Sequence, residues 1–292
     1  ARIGHFASVI AATVGVISGI LWLAAILFSF GVVFETLTGQ PAALGLIGGT
    51  IVIAIYTMFG GLKAVAATDI FQMIFIAIGV FILFFVVLDN TDGWVTVIKQ
   101  LPEHAFDFTP QGETLTDKLE YFQVWLSSGL AAITSISVVQ RAMASKSEHV
   151  AQNAFYIAGV IYLLFGMFPI MLGYIASITM PGIEDPNAII PLLAIEHLHP
   201  ILVAIFVGAV ISAIMSTSDS ILLGIGTLCS VDLLPRIIRN PSEKLRLIVA
   251  RWSIPFIALL ALWKAFNTSS VIGGIGEAVA VGFAGISGPF LL

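Results

Sequence analysis

Long apolar runs separated by short polar breaks predict eight membrane-crossing helices, roughly at 6–34, 43–60, 69–88, 120–140, 151–180, 200–234, 247–266 and 271–292. The sixth run departs from the plain apolar pattern. Its segment GAVISAIMSTSDSILL, residues 208–223, carries an aspartate and five hydroxyls inside a stretch long enough to cross a bilayer. In steps of three and four, Ser212, Ser216, Asp219, Ser220, Gly224 and Thr227 fall on one helical face and make a polar stripe. A carboxylate at mid-membrane costs about 2.5–3.5 kcal/mol, so this stripe is expected to face protein or water rather than lipid. Its carboxylate and hydroxyl oxygens are the hard ligands that a small hard cation prefers.

A second polar element lies where the second and third runs meet, in YTMFGGLKAVAATDIFQ, residues 56–72. Gly60 and Gly61 read as a tight turn there, because glycine accepts backbone angles that other residues resist. Asp69 then stands at the start of the next helix, with Gln72 one turn on. It reads either as a first-turn carboxylate favoured by the helix dipole or as a lining group at the inner mouth of a cation path. Glu277, the other acid within an apolar run, faces either the solute cavity or the aqueous outer mouth. Gly15 and Gly19 form a small-residue face for close helix packing. The hydroxyls of the fourth run read as helix packing, and Arg141 as an anchor at its inner end.

Composition supports a membrane protein with little else to do: of 292 residues, 59% are hydrophobic and 10% charged. If Arg2 lies on the cytoplasmic side, that side collects nine of the twelve basic residues: Arg2, Lys63, Arg141, Lys146, Arg236, Arg239, Lys244, Arg246 and Arg251. The remaining three, Lys99, Lys118 and Lys264, would be external, so the positive-inside rule favours eight spans with both ends cytoplasmic. No basic cluster suggests nucleic acid, and the single cysteine, Cys229, supports no disulfide framework. His197 and His199 do not share a helical face and match no zinc signature. The chain opens at Ala1 without a methionine and ends in an apolar run, so it reads as a piece of a longer transporter-sized protein.

The two polar elements together resemble the sodium/solute symporter family. Residues 56–72 match its YT-x-x-GG-x-x-AV-x-x-TD-x-x-Q pattern, and Ser212 to Leu223 match the A-x-x-MST-x-x-S segment of its sodium-binding helix, about 140 residues further on. Gln140-Arg141 and Gly288-Pro289 add to the likeness. The resemblance implies an all-α LeuT-like bundle built from inverted repeats, in which residues 1–292 form a single transmembrane domain holding roughly core helices three to ten. It implies a sodium site using the Ala213 carbonyl with the Ser216 and Thr217 hydroxyls, completed by carbonyls of a first core helix outside this chain. It also implies that Asp69 stands near the cytoplasmic exit, with Asp219 and Ser220 as its partners in a possible second cation or proton site. Asp219 is a departure, since several members place serine there.

For the solute, the resemblance points to Ser128, Ala131 and Ala132, where sugar-type members carry Asn, Tyr and Trp, and to Ser135, where choline-type members build an aromatic cage. Without those rings, stacking and cation–π capture are not expected from this helix, which leaves a small polar solute such as an amino acid or short carboxylate. The expectation is a sodium-coupled symporter in a bacterial inner membrane, with sodium, solute and lipid as its partners. A solute sensor or a channel is the alternative, although no filter loop or charged ring is evident. No HExxH or GxSxG motif points to an enzyme.

Overall fold

The structure, a computed structural model, describes residues 4–110, 112, 114–133 and 135–287. Among these, helices α1 (Gly4–Thr38) and α2 (Ala42–Asp89) are followed by the short α3 (Trp94–Gln100) and then by α4 (Leu115–Ile133), α5 (Ile136–Ala144) and α6 (Glu148–Thr179). The chain continues through α7 (Ile189–His197), α8 (Pro200–Thr227), α9 (Leu234–Ile237), α10 (Glu243–Ala265) and α11 (Val271–Gly282). Wide-turned π segments, Leu228–Leu233 and Phe283–Ser287, extend α8 and α11. Helix starts follow local chemistry: Ser147, Ser242 and Ser270 each accept a hydrogen bond from a backbone N–H three residues on, and Pro200 occupies the first turn of α8.

Among the described residues five stretches are long and apolar enough to cross a membrane: Ala7–Thr38, Ala42–Asp89, Glu148–Thr179, Pro200–Ile237 and Glu243–Ala265. Their outward faces are greasy, as Phe71, Tyr162, Leu163 and Trp252 show by lying at least 65% exposed. That suits a lipid-facing surface.

The 48 residues of α2 would reach about 70 Å if straight, more than twice a hydrocarbon core. They do not run straight. Gly61 has φ 66° and ψ 174°, and across it Tyr56 and Thr68 share a hydroxyl–hydroxyl hydrogen bond of 2.5 Å although twelve residues separate them. The chain therefore folds back into two legs, 42–60 and 62–89; the second begins seven residues before the expected third span, so Asp69 lies about two turns inside the helix and not in its first turn. Both legs lie along α8: Ile53 of the first packs in one cluster with Leu46, Ile214, Leu222, Ile225 and Ile257. On the second leg Leu83, Phe84 and Val87 pack with Phe206 of α8 and with Leu172 and Ile175 of α6. Gly15 and Gly19 sit against Leu228 and Ile225, so the small face of α1 is a packing face as expected.

Two expected spans are corrected. The fourth is not one helix over 120–140: it stops at Ile133 and restarts at Ile136, because Ser135 takes an extended backbone and its hydroxyl accepts from the Val138 N–H at 3.4 Å. Serine and threonine offer the backbone this competing bond, and here the N-cap wins over continuation. The last is helical only as Val271–Gly282 before its π segment, and residues 288–292, including Gly288-Pro289, lie outside the described residues.

Candidate functional site

The motif leg and the polar stripe meet. Asp69 projects from the second leg of α2 toward α8, where the Ser216 hydroxyl donates to its Oδ1 at 2.5 Å. Arg141 of α5 donates from Nη2 to Asp69 Oδ2 at 2.9 Å, and the same nitrogen reaches Ser220 Oγ at 2.9 Å. Ser220 in turn donates to the Ser216 carbonyl at 2.9 Å. Asp219 is fully buried, and its Oδ2 has no hydrogen-bonding partner. It lies within electrostatic reach of both Asp69 and Arg141. A buried carboxylate oxygen left unpaired is costly, so this is a place where a positive charge is favoured.

Local sequence explains how these groups are held. The Tyr56–Thr68 hydrogen bond clips the two legs together directly beside Asp69, so the tyrosine, double glycine and Thr-Asp of residues 56–69 act as one hairpin device. α5 is seated on α8 at Gly224, where an added Cβ would come within 2.4 Å of Ile136 Cγ2. Gln140 fastens it further by donating to Thr227 Oγ1 at 2.9 Å.

The sodium ligands expected as one set divide into two places. Ser216 belongs to the Asp69 network, whereas Thr217 donates to the Ala213 carbonyl at 3.0 Å on the adjoining, more exposed face. This is the hydroxyl-to-carbonyl bond across one turn that threonines commonly make within a helix. Asp69, Asp219 and Ser220 are brought together as expected. The solute candidates are not: Ser128 and Ala132 are exposed on α4, Ser135 is the N-cap of α5, and the side chain of Ala131 lies outside the described residues. α4 packs on α11 and its π segment. An apolar cavity of about 260 Å³ between α1, the first leg and α8 is lined by Phe30, Phe34, Val52, Ile211 and Met215, and offers no polar group to orient a solute.

Glu277 is 54% exposed and pairs with Lys264 of α10 at 2.8 Å. Exposed pairs of this kind contribute about 0–1 kcal/mol. Glu277→Gln is expected to change thermal stability by less than about 1 kcal/mol, as read from melting in detergent.

Sequence reasoning missed two residues at this site. Arg141 reads as an interfacial anchor yet reaches Asp69, and Gln140 ties its helix down; the signals were their place at the end of an apolar run and the Gln-Arg pair in the family likeness. Three more buried polar atoms, Thr57 Oγ1, Gln72 Oε1 and Ser218 Oγ, have no partner and surround the same helices.

The family model for the sodium:solute symporter family matches residues 3–292. The chain belongs to the sodium:solute symporter family. Members of this family are transporters, and the apolar helices among the described residues suit a membrane protein. It is similar to high-affinity choline transporter 1 of Drosophila melanogaster, with 26% identity over 266 residues that cover 87% of this chain and 42% of the relative. It is also similar to sodium/proline symporter 2 of Staphylococcus saprophyticus, with 28% identity over 277 residues covering 90% of this chain and 53% of the relative. The chain therefore spans about half the length of the curated relatives it matches. These come from animals as well as bacteria, so the family does not carry the expectation of a bacterial membrane. Among solved structures it resembles a Na+-coupled sialic acid symporter in its substrate-bound outward-open state, at a TM-score of 0.76 and 17% identity, over 95% of this chain and 62% of that one. That likeness supports the helical symporter fold.

Proposed function

We propose that the protein to which this chain belongs imports a small polar solute across the cell membrane by coupling it to sodium. The observation that carries this is the Asp69–Ser216–Ser220–Asp219 oxygen cluster, held where the motif leg meets the polar stripe of α8. Sodium entering from outside engages the Ala213 carbonyl and the Thr217 hydroxyl, passes to the Ser216 hydroxyl and Asp69 on the adjoining face, and leaves inward. Coupling requires that the ion favour one conformation over the other, since equal affinity would shift nothing. Residues 1–292 act as one transmembrane domain, corresponding to core helices three to ten of the inverted repeat. An amino acid or short carboxylate is the favoured solute class: a proline symporter is among the relatives, and Ser128, Ala132 and Ser135 supply no aromatic surface for a ring or a quaternary amine.

The test is uptake by the full-length protein in proteoliposomes, screening amino acids and short carboxylates with and without a sodium gradient. Gradient-dependent uptake is expected, with Ser216→Ala and Thr217→Ala each raising the half-saturating sodium concentration about tenfold, the equivalent of one hydrogen bond to a charged group. A wild type that binds a solute but moves none under any ion gradient would refute coupled transport and favour a membrane solute sensor.

A further inference from the structure

Arg141 occupies the oxygens that a cation at this site would use. Its Nη2 sits 2.9 Å from both Asp69 Oδ2 and Ser220 Oγ. The placement is built rather than incidental. Gln140 anchors the preceding position to Thr227, Gly224 makes room for Ile136, and Nη1 donates back to the Ser137 carbonyl at 3.3 Å. The Arg141 side chain is also 48% exposed, against 22% for Asp69, so the guanidinium can leave the carboxylate for water without being buried elsewhere.

Asp69 and Arg141 bring opposite charges into contact beside the buried Asp219, so the guanidinium already supplies the positive charge that the Asp69 carboxylate would otherwise take from a cation. Without Arg141 the Asp69 carboxylate would be uncompensated and would grip a cation more strongly, because opposite charges a few ångströms apart attract more strongly in a partly desolvated site than in water.

We propose that Arg141 is a tethered counter-cation that competes with sodium for Asp69 and Ser220, and so keeps the inner site weak enough for the ion to leave. This rests on the sodium-coupled reading above. A fixed internal competitor returns to the carboxylate as sodium departs, which spares Asp69 an unpaired charge and lowers the barrier to release. Arg141 is in this sense a positioning and release residue, not an ion ligand.

The test uses two readouts on the full-length protein. The first is sodium-dependent protection of the purified protein against thermal unfolding, which reads ion binding without transport. The second is solute flux in proteoliposomes. Arg141→Gln is expected to shift the sodium protection curve at least tenfold toward lower sodium. Net uptake should slow, while solute exchange with equal sodium on both sides persists. Arg141→Lys, which keeps the charge, should stay within threefold of wild type in both. An unchanged curve in Arg141→Gln, or one moved to higher sodium, overturns the competition. So does an Arg141→Lys variant that behaves like Arg141→Gln. If the wild type moves no solute yet Arg141→Gln still shifts the protection curve, the competition stands and the transport reading falls. If the wild type transports and the curve does not shift, the reverse holds.

Discussion

Asp69→Asn is expected to lower the initial rate of sodium-driven uptake by about two orders of magnitude, the largest loss from any single change at the site. The carboxylate takes a hydroxyl donor on one oxygen and a guanidinium on the other, at 2.5 and 2.9 Å. Hydrogen bonds to charged groups contribute about 1.5–3 kcal/mol each, and every 1.4 kcal/mol is tenfold, so removing the charge that organises both is worth roughly a hundredfold. Asparagine keeps the shape but presents one neutral acceptor and one amide donor, so Arg141 and a site cation both lose their counter-charge. Asp69→Glu keeps the charge and displaces it by one methylene, and should retain a measurable fraction of the rate. The measurement is uptake by the full-length protein in proteoliposomes, with monodispersity on size exclusion as the folding check. An Asp69→Asn rate within threefold of wild type would remove Asp69 from the ion path.

The second large effect concerns the hairpin that presents Asp69. Gly61→Val is expected to destabilise the protein by about 1–3 kcal/mol or more, because the backbone region near φ 66° and ψ 174° is essentially reserved for glycine. A β-branched side chain is the worst choice for that conformation. Gly60→Ala is the matched control: Gly60 has no left-handed backbone angle, and an added Cβ there meets only Ala64 Cβ at 3.5 Å. It should therefore melt close to wild type, while Gly61→Val melts several degrees lower, at roughly 2–4 °C per kcal/mol for a chain of this size. Equal melting of the two variants would show that the fold-back does not depend on the angle at Gly61. The double glycine announced a turn, but its sequence alone does not say which glycine bears the strain.

Other features were legible to different degrees. The membrane class and most spans were open to reading because apolar length is a local property, and the two legs of α2 were separated correctly by Gly60-Gly61. The polar stripe on α8 was legible from helical periodicity, and Asp219 and Ser220 do lie with Asp69. Ser216 and Thr217 looked like one ligand pair because they are neighbours in sequence. On a helix, adjacent residues point about 100° apart, and the structure gives them different partners. Ser135 was read as part of a continuous span because its apolar surroundings hide a cap, and a cap is decided by backbone geometry rather than hydropathy. Glu277 drew attention as an acid in an apolar run. Its partner Lys264 belongs to a different helix, so the sequence pattern held no sign that the charge was already paired.

The sequence by itself placed this chain among helical membrane proteins of the sodium:solute symporter family, and marked Asp69 and the α8 stripe as polar groups within apolar helices. Those properties live in runs and periods a few turns long, and a residue's neighbours along the chain suffice to read them. The tertiary structure alone decided that Arg141 closes on Asp69 across 72 positions and that Ser216 meets it across 147. Such contacts depend on the break at Ser135, the fold-back at Gly61 and the seating of α5 on Gly224. Each rotates or translates a whole helix by an amount that no local pattern encodes.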